Sequence, residues 1–203
     1  MIKILVSINN KFCQNYILFA QKVKPFNLSQ KRLYERFDKE KKMRRIFKFI
    51  YILAAVLLTA YLSSIFSRFG TQGWYQILPK PGIVPPDFVF PIVWAILYAL
   101  IIWASYIALT REDSMLHSLA NDLFLAQCFL QILWCFVYFA QGYLAFGLAV
   151  IILLDIAVFK MAHLYYKLNR TAGYLLIPYC LWAAFATFIN FAYVWMHGIS
   201  VQI

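Results

Sequence analysis

The chain has 203 residues, of which 64% are hydrophobic and only 13% charged, and its mean hydropathy is +0.69. This apolar content exceeds the roughly 45–50% of soluble domains and excludes an ordinary soluble globular protein. The net charge of +11 does not indicate a nucleic-acid-binding fold, because residues 1–42 alone hold ten Lys/Arg against three Asp/Glu, a net of +7.

The N-terminal segment, residues 1–42, is basic and precedes the first long apolar run. Its own apolar stretches are interrupted by Lys11 and several asparagines, and no small-residue cleavage site follows them. Met43 and the two arginines after it resemble an ordinary start of a membrane protein. We therefore expect residues 1–42 to be an extension, or the product of a misassigned start, and residues 43–203 to form one membrane domain.

Long uncharged runs predict five transmembrane helices, since about 18 or more apolar residues are needed to cross a bilayer. The expected spans are residues 46–67, 90–110, 119–140, 143–168 and 171–197. Gly142 and its neighbours divide a run too long for one crossing into the third and fourth spans. Because the runs are continuously apolar rather than alternating, the predicted fold class is an all-α five-helix membrane bundle and not a barrel.

Five of the seven prolines lie between Pro79 and Pro91, directly before the second span. Proline lacks an amide donor and restricts the residue before it, so we expect residues 78–91 to be non-helical. Trp74 and Tyr75 precede this segment. The segment is expected either to cap one end of the bundle as a stiff lid or to be an inert loop whose aromatic residues anchor at the lipid headgroups.

Basic residues favour a cytoplasmic N-terminus. The first span follows the basic segment, and the connections after the second and fourth spans carry Arg111 and Lys167, whereas the connection after the third span has no Lys or Arg. Arg68 and Lys80, near the first connection, weaken this pattern.

Two stretches of sequence have a recognisable pattern: Trp74–Tyr98, "WYQILPKPGIVPPDFVFPIVWAILY", and Leu176–Asn190, "LIPYCLWAAFATFIN". The first resembles the first loop and second helix, and the second the fifth helix, of the translocator protein family, also called TspO or the peripheral-type benzodiazepine receptor. A looser similarity covers Gln127–Phe139. The resemblance implies a five-span fold.

The chain departs from the family pattern at several positions. Ile83 replaces a Trp of the proline-rich loop, Gln131 replaces an Asn of the third helix, and Val150 stands where the fourth helix usually has an acid. No Lys or Arg follows Tyr193 in this sequence, so the family's short cholesterol-recognition pattern is incomplete.

Three residues of the fifth span are spaced to form a stripe. Trp182, Ala186 and Asn190 recur at four-residue intervals and therefore share one face of a helix. Such a stripe suits either a small-molecule site with apolar walls and one polar group or a simple seam between helices. Trp94 and Trp134 are expected in the same half of the bilayer.

The resemblance implies a membrane protein that binds and senses porphyrins, with Trp94 and Trp182 linked to light- and oxygen-dependent porphyrin breakdown as its only catalytic activity. The alternative is a transporter of porphyrin or sterol. The resemblance also implies a homodimer, with no interface assigned. We expect no cofactor and no nucleic acid. The predicted ligand-binding residues are Trp74, Tyr75, Trp94, Gln131, Trp134, Phe139, Trp182, Ala186 and Asn190.

Remaining polar residues are expected outside this site. His117 is expected in a loop, His163 near the opposite face and His197 at the end of the last helix, so no metal site is predicted and metal-free porphyrin is the expected ligand. Asp155, near the middle of the fourth span, is either a functional group or a hydrogen-bonded carboxyl facing another helix. The cysteines within the spans are expected to be small buried side chains.

Overall fold

The structure, a computed structural model, describes residues 28–110 and 115–201. Most of the predicted N-terminal extension, as well as Arg111, lies outside the described residues. The chain divides into two compact units, one ending at Phe47 and the other beginning at Lys48.

The described part of the first unit is the N-terminal portion of helix α1, Leu28–Thr71. Residues 30–47 of this helix are exposed and rich in charge. Because Lys, Arg and Glu are good helix formers, the helix begins well before the predicted start at residue 46.

The second unit is an all-helical bundle. The remainder of α1 is followed by α2 (Trp74–Ile77), α3 (Val89–Leu109), α4 (Met115–Cys135), α5 (Leu144–Leu168), α6 (Arg170–Leu175) and α7 (Ile177–His197). Five segments are long and apolar enough to cross a membrane: α1, α3, α4 with its extension, α5, and α6 with α7. The predicted five-helix membrane fold is therefore confirmed.

Helix α5 is central among the later helices, because it packs on both α4 and α7. The core between the helices is rich in tyrosine. Tyr138, Tyr165, Tyr179 and Tyr193 are each almost completely buried.

The region between the first two spans differs in part from the predicted non-helical segment, residues 78–91. It contains the short helix α2, and α3 begins at Val89, so that Pro91 lies in its first turn. A proline is tolerated there because the first amides of a helix have no acceptor within the helix. The segment expected to be non-helical therefore ends at Phe88, three residues earlier than predicted.

Helix α4 ends in a π-helical segment, Phe136–Ala140, which the sequence did not indicate. The predicted turn follows at Gly142, whose φ of +66° is in the left-handed region that favours glycine. The Gly142 carbonyl accepts a hydrogen bond from the Val201 amide at 3.0 Å, so C-terminal residues contact this turn.

The last span is divided at Leu176 rather than continuous. Pro178 occupies the first turn of α7, where its missing amide is harmless. Helix α6 is capped by Asn169, whose side-chain oxygen accepts a hydrogen bond from the Thr171 amide at 2.9 Å. The loop predicted for His117 is also wrong, because this residue lies in the first turns of α4.

Glycines allow close contacts between segments. A Cβ on Gly70 would lie 2.7 Å from the Phe139 carbonyl oxygen, and one on Gly147 would lie 2.9 Å from the Tyr138 Cβ. Gly147 therefore serves contact within the chain. Asp155 has a partner on another helix, since its Oδ2 accepts a hydrogen bond from the Thr187 hydroxyl at 2.7 Å.

Candidate functional site

Six aromatic residues from α2, α7 and the C-terminal end of the third span contact one another. We call them the anchored cluster: Trp74, Tyr75, Trp134, Tyr138, Phe139 and Tyr193. Their ring centroids are 4.9–6.5 Å apart, the separation at which aromatic pairs are favourable.

Trp74 lies in α2, directly before the proline-rich loop (residues 78–88), and connects this part of the chain to the cluster. Its indole N–H donates a hydrogen bond to the Phe139 carbonyl oxygen at 3.0 Å, and only 6% of the residue is exposed. The acceptor lies in the π-helical segment. Because the i→i+4 hydrogen-bond pattern is altered in a π-helix, a carbonyl near its end is available to a side-chain donor.

Tyr75 lies beside Trp74, with its ring 5.5 Å from that of Tyr193. Burial raises the pKa of the Tyr75 phenol, and the neighbouring Tyr193 hydroxyl and the nearby Lys80 partly oppose this effect. The Lys80 ammonium lies 4.8 Å from the centre of the Tyr75 ring and 2.8 Å from the Asp87 carboxylate. The Lys80–Asp87 pair is partly exposed, so it contributes little to stability.

Trp134 and Asn190 connect α4 to α7. The Trp134 indole N–H donates to the Asn190 side-chain oxygen at 3.2 Å, and the Asn190 amide donates to the Ala186 carbonyl at 2.9 Å. Ala186 and Asn190 are buried and Trp182 is half-buried, so the predicted stripe faces other helices. Within the described residues, Asn190 thus makes a contact between helices.

Trp94 and Trp182 lie at a second aromatic group, between α3 and α7. The ring of Trp94 is 6.2 Å from that of Tyr179, and the ring of Trp182 is 5.8 Å from that of Phe90. Each tryptophan therefore contacts an aromatic residue of the other helix. Both indoles are half-buried, in contrast to the buried indoles of Trp74 and Trp134. We call Phe90, Trp94, Tyr179 and Trp182 the α3–α7 group.

Gln131, the remaining predicted residue, is buried on α4, with its amide nitrogen 3.8 Å from the Cys135 sulfur. One turn earlier, the Gln127 side-chain oxygen accepts a hydrogen bond from the Tyr179 hydroxyl at 3.0 Å. This bond joins α4 to the α3–α7 group. Gln131 itself belongs to neither aromatic group.

Sequence reasoning missed three tyrosines that lie at the centre of these groups: Tyr138, Tyr179 and Tyr193. Tyr193 could have been found, because it extends the Ala186–Asn190 stripe by three residues. His197 lies nearer the site than expected, since its ring is 5.8 Å from Tyr193 and its Nε2 is 2.9 Å from the Pro79 carbonyl oxygen.

Among residues 28–110 and 115–201, no three His, Cys, Asp or Glu side chains come together in a way that could hold a metal ion. The cysteines Cys128, Cys135 and Cys180 are free and buried. Aromatic and apolar side chains with a few fixed polar groups are typical of sites for apolar small molecules. The fold defines a multi-pass helical membrane protein, and its two aromatic groups are the candidate site.

Comparison with known proteins gives the particular family. Residues 51–196 match the TspO/MBR family. The tryptophan-rich protein TspO of Archaeoglobus fulgidus is 35% identical over 148 residues, which are 72% of this chain and 95% of that protein. The tryptophan-rich sensory protein of Cereibacter sphaeroides is 35% identical over 118 residues (58% and 73%), and the human translocator protein is 29% identical over 129 residues (62% and 76%). The chain belongs to the TspO/MBR family.

Proposed function

We propose that this protein binds and senses a tetrapyrrole, a metal-free porphyrin, at the α3–α7 group, and that Trp94 and Trp182 take part in slow light- and oxygen-dependent breakdown of the bound macrocycle. The observation that carries the proposal is the position of these two half-buried indoles, each against an aromatic ring of the opposite helix. Membership of the TspO/MBR family and the name "tryptophan-rich sensory protein" of one relative support it.

The chemistry of the α3–α7 group suits a flat aromatic ligand. A porphyrin gains from offset or edge-on contact with aromatic rings, at about 0.5–1.5 kcal/mol for each pair. Phe90, Trp94 and Trp182 are half-buried, so part of each ring is accessible to a ligand. Indoles are also the most electron-rich of the natural side chains and are suited to photo-oxidative chemistry with a bound dye and molecular oxygen.

The test compares two double variants of the purified protein. Trp94→Phe/Trp182→Phe removes both indoles of the α3–α7 group and keeps a ring at each position. Trp103→Phe/Trp195→Phe is the matched control, because it removes one indole from each of the same two helices at exposed positions, 56% and 82% exposed.

Protoporphyrin IX is titrated into each protein and its binding followed by tryptophan quenching and by the porphyrin absorbance. Loss of about 1 kcal/mol of ring contact predicts roughly fivefold weaker binding by Trp94→Phe/Trp182→Phe. Under illumination in air, this variant should no longer bleach the porphyrin, whereas the control should behave like the unmodified protein. Equal bleaching by both variants would refute the chemical role of Trp94 and Trp182, and equal affinity would refute the site.

The transporter alternative makes a different prediction. A binding and sensing protein reconstituted in liposomes saturates with protoporphyrin but gives no net transfer between the compartments. Protein-dependent net transfer that is abolished by Trp94→Phe/Trp182→Phe would replace sensing by transport at the same site.

A further inference from the structure

A surface groove lies where the C-terminal half of α5 meets α6 and the first turns of α7. Its volume is 360 Å³, and it is open along one side. None of its lining residues belongs to the anchored cluster or to the α3–α7 group. The groove is therefore a separate feature of the molecule, independent of the proposed porphyrin site.

The walls of the groove are mainly apolar. Phe159 of α5 and Ile177 and Leu181 of α7 line it, and all three are exposed. Between Phe159 and Tyr166 the groove extends about 10 Å along the axis of α5, since a helix advances about 1.5 Å per residue. This length matches part of one acyl chain.

Two tyrosines lie at the end of the groove next to the α5–α6 connection. The rings of Tyr166 and Tyr174 are 5.5 Å apart in an edge-to-face arrangement, and both residues line the groove and are exposed. Tyrosines with one apolar and one polar end are enriched at the level of the lipid headgroups. This is the arrangement expected of a groove that begins at the headgroup level and continues into the hydrocarbon.

Two lysines and a histidine form a row along α5. Lys160, His163 and Lys167 recur at three- and four-residue spacing, so they lie along one face of α5, and all three are exposed. His163 itself lines the groove. From residue 156 to the C-terminus the sequence contains no Asp or Glu, so no acidic group of this segment offsets the two lysines.

We propose that this groove binds an anionic phospholipid, with one acyl chain between α5 and α7 and the phosphate at the tyrosine end, beside His163 and Lys167. The long Lys160 side chain approaches this level from one to two turns deeper by extending toward the headgroups. Basic pockets between transmembrane helices are suited to anionic headgroups. The positive charge of the two lysines favours a lipid with net negative charge over a zwitterionic lipid. The apolar walls hold an acyl chain, which a general attraction between a basic protein and an anionic membrane surface would not require.

The charge requirement is tested with two double variants of the full chain, purified in detergent and freed of lipid. Lys160→Gln/Lys167→Gln removes two charges beside the groove, and Arg44→Gln/Arg45→Gln removes the same charge from exposed positions of α1. Palmitoyl-oleoyl phosphatidylglycerol or phosphatidylcholine is added, and bound lipid is counted by native mass spectrometry.

The unmodified protein should retain phosphatidylglycerol in preference to phosphatidylcholine. Lys160→Gln/Lys167→Gln should reduce this preference by about fivefold for each lysine, whereas the arginine control should keep it. Equal retention of both lipids by the unmodified protein, or an equal loss in the two variants, would overturn the proposal. Equal or tighter retention of cholesterol, insensitive to the lysine changes, would also overturn it.

The acyl-chain requirement is tested by filling the groove. Ala162 lines it, so Ala162→Phe should lower retention of phosphatidylglycerol at least tenfold. Ala149→Phe, at an exposed position of the same helix, is the matched control and should leave retention unchanged. Unaltered retention in Ala162→Phe would show that lipid binds elsewhere. Each variant is compared with the unmodified protein by thermal melting without added lipid, so that loss of fold is distinguished from loss of lipid.

Discussion

Gly70→Ala is expected to separate the end of α1 from the end of the third span. A Cβ at this position would lie 2.7 Å from the Phe139 carbonyl oxygen and 2.9 Å from the Phe139 Cα. Both are backbone atoms, so no side-chain rotation relieves the clash. The same carbonyl accepts the hydrogen bond of the Trp74 indole at 3.0 Å. One added methyl group therefore disturbs a contact between helices and the attachment of the proline-rich loop together.

The free energy of unfolding should fall by about 2 to 3 kcal/mol. Overpacking costs about 1–3 kcal/mol, and the rigid backbone on both sides places Gly70→Ala near the upper end. The better helix propensity of alanine offsets about 1 kcal/mol of this. Weakening of the Trp74 hydrogen bond adds about 1 kcal/mol. For a chain of this size, the midpoint of thermal unfolding should fall by about 5–10 °C.

The assay is thermal unfolding in detergent, followed with a thiol-reactive dye. Cys128, Cys135 and Cys180 are buried and free, so they react when the bundle opens. Gly82→Ala is the matched control, because an added Cβ there meets no atom within 4 Å and the residue is exposed. If Gly70→Ala melted within about 2 °C of Gly82→Ala and of the unmodified protein, the close contact at Phe139 would be refuted.

Three further substitutions test other contacts, each by the same melting assay. Thr187→Val should lower stability by about 1–2 kcal/mol, because it leaves the half-buried Asp155 carboxyl without its donor, and Thr187→Ser should restore most of the loss. Asn190→Ala should cost about 1–3 kcal/mol and should also shift the emission of the buried Trp134 indole, since its acceptor is removed; unchanged emission would contradict this hydrogen bond. Gly142→Ala should cost about 1 kcal/mol because of the positive φ, whereas an unchanged midpoint would show that the turn relaxes.

Much of the fold could be predicted from the sequence, because bilayer thickness fixes the length of apolar helices and glycine marks the turn at Gly142. The sequence was less informative where a helix continues through charged residues or changes its hydrogen-bond pattern. The π-helical segment Phe136–Ala140 has no composition signal, since it depends on how the chain approaches the turn and on the carbonyl offered to Trp74. The early start of α3 depended on the tolerance of its first turn for Pro91.

The candidate site was predictable as a set of residue types but not as an arrangement. Spacing placed Ala186 and Asn190 on one inward face of α7, and both are buried there. Spacing within one helix carries no information about which ring of another helix is met. Trp94 therefore contacts Tyr179, and Trp182 contacts Phe90, in pairings that only the crossing of α3 and α7 decides.

The two aromatic groups differ in the free energy that it would cost to insert a planar ligand. The indoles of Trp74 and Trp134 are buried and hydrogen-bonded, so a ligand entering the anchored cluster must break or bend those bonds, at about 1–3 kcal/mol for each group left unpaired. The half-buried rings of Trp94 and Trp182 can be displaced without that cost. For the porphyrin site that we propose, these costs favour the α3–α7 group over the anchored cluster. Stability and affinity should therefore be separable: Gly70→Ala should act mainly on the melting midpoint, and Trp94→Phe/Trp182→Phe mainly on the affinity for protoporphyrin.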